Sequence, residues 1–112
     1  MYNLLERMNM SDRPVESGQK GEEKILDKLA LEKQYKLALE NDPKDATMHY
    51  NYGTLLVELD RKEEAEIQYR LSLKINPKDV NAYYNYGLLL TEMDRKEEAE
   101  IQYKSGKQLT VL

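Results

Sequence analysis

The sequence predicts an all-α fold, a solenoid of antiparallel helix pairs holding about two and a half repeats. Three observations carry that expectation. A 34-residue offset relates two segments of the chain, apolar residues recur at three- and four-residue steps, and proline and turn residues fall between the periodic runs. Tyr50-Asn51-Tyr52-Gly53 recurs as Tyr84-Asn85-Tyr86-Gly87, and the ten residues Asp60 to Tyr69 recur unchanged as Asp94 to Tyr103. Aligning 46–78 with 80–112 gives 17 identities in 33 ungapped pairs, so the segment is a tandem duplication.

The first element is the N-terminal segment, residues 1–21. Pro14, Gly18 and Gly21 discourage helix there. Two readings stand for it: a disordered tail, or a short covering helix built on Leu4, Leu5 and Met8. The repeat-bearing domain is expected over 22–112, divided into a partial repeat 22–45 and two full repeats, 46–79 and 80–112. Glu22 to Asn41 reads as one helix of about 20 residues with Ile25, Leu26, Leu29, Tyr35 and Ala38 apolar. Asn41-Asp42-Pro43-Lys44-Asp45 lies one period before Ile75-Asn76-Pro77-Lys78-Asp79, which makes this helix the second half of an upstream unit.

Each full unit reads as two helices. Met48, Tyr52, Leu55, Leu56 and Leu59 give the first its packed face, and Asp60-Arg61 makes the turn. Glu63 and Glu64 open the second helix, where carboxylates suit the positive end of the helix dipole. Ala65, Tyr69, Ser72 and Leu73 form its inner face, and Pro77 ends it because the residue before a proline avoids helical geometry. Gly53 and Gly87 sit mid-helix at a cost of about 1 kcal/mol each relative to alanine. A close approach of the paired helix, opposite Ala65 and Ala99, is the compensating gain.

These residues resemble the tetratricopeptide repeat: Tyr83, Tyr86-Gly87, Leu90, Ala99 and Tyr103 stand at that family's spacings. His49 and Tyr83 replace its frequent Trp, Gly106 replaces a usual Ala, and Val111 stands where its closing Pro falls. The resemblance implies a right-handed superhelix with the first helix of each unit lining the concave side.

Composition narrows the function. The formal net charge is −4, without the basic excess of a nucleic-acid binder. There is no cysteine, which excludes disulfides and thiolate chemistry, and the single His49 excludes sites needing two histidines. Charge runs such as Glu63-Glu64-Ala65-Glu66 read as a solvated face. No catalytic residue, cofactor or metal is expected. His49 is expected to pack within its helix pair, with pH sensing as the sharper alternative. No stretch of 18 apolar residues or signal-peptide core is present, so the expected location is the cytoplasm. Asn9-Met10-Ser11 matches the glycosylation pattern, which is short enough to arise by chance.

The expected function is protein–protein interaction. An exposed stripe on the first helices, with Thr47 at its start, offers Tyr50, Asn51, Thr54 and Glu58, then Asn81, Tyr84, Asn85, Leu88 and Glu92. An asparagine amide both donates to and accepts from a peptide unit, so Asn51 and Asn85 suit an extended backbone, with Tyr50 and Tyr84 giving apolar contact. The plainer alternative for these residues is helix–helix contact. The first helices contain no Lys or Arg, so a neutral or basic partner segment is expected rather than an acidic C-terminal tail. Ile101, Leu109, Val111 and Leu112 follow the last turn with no further helix to cover them, which predicts a homo-oligomer. Self-assembly through uncapped ends, and a fragment of a larger repeat protein, are the competing readings.

Overall fold

The computed structural model describes the backbone of residues 16–110 and the side chains of 22–110. Five helices follow one another: α1 (Glu16–Asn41), α2 (Ala46–Glu58), α3 (Lys62–Ile75), α4 (Val80–Glu92) and α5 (Lys96–Thr110). Helices α2 and α3 form one antiparallel pair and α4 and α5 the next. Helix α1 packs on α2, and α3 on α4, so the units stack in chain order. The chain is an all-α helical-repeat solenoid. Expectations placed on residues 1–15, Val111 and Leu112 lie outside the described residues.

Local chemistry sets the boundaries. Asp45 and Asp79, in extended geometry, cap α2 and α4 by accepting from the backbone N–H of Met48 (3.0 Å) and Ala82 (3.2 Å). Asp60 and Asp94 turn the chain between paired helices in left-handed geometry, each with φ 58°. A short polar side chain tolerates that region better than a bulky one. Lys44 and Lys78 donate their backbone N–H to the Asp42 and Asn76 side chains, closing the Pro43 and Pro77 turns.

Helix α1 differs from expectation. It begins at Glu16, not Glu22, and runs through Gly18 and Gly21 for 26 residues. Glycine taxes a helix interior by about 1 kcal/mol but, unlike proline, does not block it. The chain also stays helical at Leu26-Asp27, one period before Asp60-Arg61. Leucine at the equivalent of the left-handed aspartate favours continued helix over a turn.

The core is a continuous row of Tyr52, Leu56, Ala65, Tyr69, Tyr86, Leu89, Leu90 and Ala99. In place of Phe and Trp, tyrosines supply the large side chains; their rings meet across units at Tyr35–Tyr52 (6.4 Å) and Tyr69–Tyr86 (6.3 Å) and within a unit at Tyr50–Tyr69 (5.9 Å). The mid-helix glycines face the partner helix as expected, but a ring fills the space, so backbone does not meet bare backbone. A Cβ on Gly53 would lie 2.8 Å from Tyr69 Cδ1 and 3.4 Å from the Ala65 carbonyl, and one on Gly87 would lie 2.5 Å from Tyr103 Cε1.

Buried polar groups are paired. His49 is buried between α2 and α3: Nε2 donates to the Pro43 carbonyl (2.8 Å), and Nδ1 lies 2.7 Å from Gln68 Oε1. Ser72 Oγ donates to the Ala46 carbonyl (2.8 Å) and ties the open end of the pair.

Candidate functional site

The stripe read from the sequence lies along α2 and α4, and the structure divides it into two kinds of residue. Thr47, Glu58, Asn81, Tyr84, Leu88 and Glu92 are exposed. Tyr50, Asn51, Thr54 and Asn85 are half-buried and belong to the seam between neighbouring helices. Thr54 Oγ1 donates to the Tyr50 carbonyl (3.1 Å) and lies 3.1 Å from the Tyr69 hydroxyl. Asn85 Nδ2 donates to the Tyr50 hydroxyl, so one amide donor of the expected ladder is engaged between units. Asn51 has no side-chain hydrogen bond among the described residues. It lines a cleft of about 180 Å³ with Leu31, Tyr35, Tyr50, Thr54, Leu55 and Glu58. The two asparagines are equivalent in sequence and unequal in structure, because α4 has a first helix beside it and, among the described residues, α2 has none before it.

Tyr84 projects furthest, 57% exposed, with its ring 5.8 Å from Tyr103. Beside it a second cleft of about 210 Å³ is lined by Val80, Tyr103, Gly106, Lys107 and Thr110. Glu58 pairs with Lys28 at 3.7 Å. Neither α2 nor α4 carries a cationic side chain, so Glu58 and Glu92 set the sign of the field over the stripe.

Of the residues read as an end interface, Leu109 is half-buried and Ile101 is 59% exposed. Ile67, one period earlier and followed by a complete unit, is 56% exposed. The exposure of Ile101 therefore belongs to its position within a unit and does not arise from a missing neighbour. Ile101 lines an outer groove with Arg70, Leu73, Tyr83 and Glu98.

Sequence reasoning missed a polar junction that repeats with the period. Glu32 accepts from the Tyr52 hydroxyl (2.7 Å) and from Arg61 (2.8 Å), and Arg61 also donates to Glu64 (2.9 Å). One period later Glu66 accepts from Tyr86 (2.5 Å) and Arg95 (2.8 Å), and Arg95 donates to Glu98 (3.1 Å). The hydrogen bond from Arg61 holds the Glu32 carboxyl below its ordinary value. Burial pushes Glu66 up, but the hydrogen bonds from Arg95 and Tyr86 outweigh it and the net shift is downward. Burial and the adjoining carboxylates push the Tyr52 and Tyr86 phenols up. The signal was present in the sequence as Glu32 and Glu66 at the 34-residue offset, together with Arg61 and Arg95.

Among the described residues no group of three or more His, Asp or Glu is placed to hold a metal ion. None of the described helices is long and apolar enough to cross a membrane.

Two family models, each described as tetratricopeptide repeat, match the chain over residues 46–79 and 69–101. No curated protein matches it. Among solved structures it is similar to one described as the crystal structure of MamA, at 21% identity and a TM-score of 0.74, over 78% of this chain and 51% of that one. MamA from AMB-1 matches at 20% identity and a TM-score of 0.70, over 78% and 48%. MamA from MSR-1 matches at 23% identity and a TM-score of 0.61, over 69% and 48%. The chain spans about half the length of these structures, and at such identities the likeness is one of fold.

Proposed function

The chain belongs to the tetratricopeptide repeat family and is thereby a protein–protein interaction module, and from that premise we propose that it binds an extended segment of a partner on the face built by α2 and α4. The observation that carries this reading is the exposed row Asn81, Tyr84, Leu88 and Glu92 on a helix without cationic side chains. Tyr84 and Leu88 offer apolar contact, and Asn81 offers both a donor and an acceptor to a peptide unit. Tyr50, Asn51, Thr54, Glu58 and Asn85 extend the same face toward α1. Glu58 and Glu92 favour a neutral or basic segment over an acidic tail. The family is generally non-catalytic, and we read the chain as a cytoplasmic adaptor with no enzymatic, cofactor or nucleic-acid role.

The test is calorimetric titration with three peptide sets of matched length, ending in neutral, basic or acidic residues. The expected result is binding of neutral and basic peptides, weakened at least tenfold by Tyr84→Ala, with Glu92→Lys moving the preference toward acidic ones. Tightest binding by an acidic tail, unchanged in Glu92→Lys and Tyr84→Ala, would overturn the reading.

A further inference from the structure

Helix α1 differs from the later second helices on one face. It meets the following unit through Lys28, which pairs with Glu58, through Glu32, which accepts from Tyr52 and Arg61, and through Tyr35, whose ring lies 6.4 Å from that of Tyr52. At 3.6 residues per turn, Glu22, Leu26, Leu29 and Lys33 form a stripe on the other side of the helix, turned away from α2. Leu26 is 64% and Leu29 44% exposed, and Ile25 and Ala30 are exposed beside them. Among the described residues α1 packs on α2 alone.

The later units show what this face carries when water covers it. One and two periods on from Leu26 stand Asp60 and Asp94, from Leu29 Glu63 and Glu97, and from Ala30 Glu64 and Glu98. All six are acidic and all six are exposed. Only in α1 have the three positions become apolar. A lone exposed leucine is ordinary, but neighbouring apolar residues that replace carboxylates in register mark a surface made for contact.

We propose that this face joins two copies of the chain, their α1 helices lying antiparallel about a two-fold axis that passes between Asp27 and Lys28. The steps of four, three and four residues from Glu22 to Lys33 are those of a helix–helix seam. In this register Leu26 meets the partner's Leu29 and Glu22 meets the partner's Lys33, and the axis makes each contact twice. Charge selects the arrangement. A parallel pair would set Glu22 on the partner's Glu22 and Lys33 on the partner's Lys33. An antiparallel pair slid by one heptad would set Glu22 on the partner's Glu40, and Leu26 and Leu29 on the partner's Lys36 and the partner's Lys33. The two α1 backbones overlap over residues 16–39, about 36 Å at 1.5 Å per residue. Side-by-side helix faces of that length bury roughly the 1,000 Å² that a specific interface needs. Leu31 and Tyr35, which line the cleft with Tyr50, Asn51 and Thr54, lie on the opposite side of α1, so the dimer leaves the peptide face open.

The test is light scattering of the full chain across a dilution series. The natural sequence is expected to rise from its 13.2 kDa chain mass to twice that value as concentration increases. A chain carrying Leu26→Gln and Leu29→Glu, both helix formers, is expected to stay a monomer of unchanged helicity. Glu22→Lys alone and Lys33→Glu alone are each expected to weaken dimerisation at least tenfold, and the two together in one chain to recover it. Because the sequence lacks cysteine, Glu22→Cys chains mixed with Lys33→Cys chains are expected to form a disulfide on oxidation, where neither chain alone does. A monomer at every concentration would overturn the proposal. So would a dimer indifferent to the leucine substitutions, or one in which Glu22→Cys chains link to themselves.

Discussion

Gly53 and Gly87 occupy the same place in two units of nearly identical sequence, so replacing each by alanine isolates the effect of the neighbouring unit. The new Cβ meets the ring of the tyrosine on the paired helix in both cases, at 2.8 Å for Gly53 and 2.5 Å for Gly87. Distance alone ranks Gly87→Ala as the worse change. The ring environments reverse that order. Tyr69 is 2% exposed, held between Tyr50 and Tyr86, with Thr54 beside its hydroxyl. Tyr103 is half-buried on the last helix, with Tyr84 as its only ring neighbour among the described residues. Overpacking costs about 1–3 kcal/mol, and alanine in place of glycine returns about 1 kcal/mol of helix propensity. A locked ring takes the upper end of that range and a free one the lower. The expected net loss is about 2 kcal/mol for Gly53→Ala and close to zero for Gly87→Ala. Urea unfolding followed by circular dichroism at 222 nm measures both. Equal losses, or a larger loss at Gly87, would refute the argument that ring confinement decides the cost.

Three further outcomes are expected. A double-mutant cycle of Glu66→Gln and Arg95→Met should give a coupling of about 1–2 kcal/mol, since the carboxylate is mostly buried but the arginine is a third exposed and partly screened. The exposed Lys104–Glu100 pair, examined the same way, should give no more than about 0.5 kcal/mol. Because folding lowers the Glu32 and Glu66 values, their stabilisation is present above the unfolded glutamate value of about 4.3 and is lost as pH falls below it. Urea midpoints should therefore drop between about pH 5 and 3, and less so in Glu66→Gln. Gly106→Ser should stabilise the last pair by about 1 kcal/mol, because Ser72, its periodic equivalent, donates to the Ala46 carbonyl and the Val80 carbonyl lies 3.6 Å from a Cβ at Gly106. The contact with Tyr83 at 3.1 Å sets the limit of that gain, and slower amide exchange along α5 is the measurement.

The helix pairs were legible because repetition and three-to-four spacing report backbone geometry directly: α2 and α4 end within one residue of the expected positions. The start of α1 was not. Two glycines argue locally against helix, and no local signal states that Leu26 will keep the chain straight where Asp60 and Asp94 bend it. The stripe on α2 and α4 was legible as a set of residues but not as a set of roles. Whether Asn51 or Asn85 finds a partner depends on which helix precedes it in space, and among the described residues only Asn85 has one. The junctions at Glu32 and Glu66 escaped notice for a related reason. A lone glutamate amid charge runs looks solvated until the Tyr and Arg that reach it are placed some 20 to 30 residues away.

The polar junctions also carry a mechanical meaning. Each fastens a unit to the one before it through a single carboxylate that holds a tyrosine and an arginine together. Under tension applied along the chain, load passes from unit to unit through these clasps. Among the described residues α5 packs on α4 alone and lacks the seryl tie that Ser72 gives α3, yet its contact with α4 is as extensive as that of α3 with α2. The contact within each helix pair is far more extensive than the contact between units, so a pulled chain parts between units, where a clasp yields, before a pair opens.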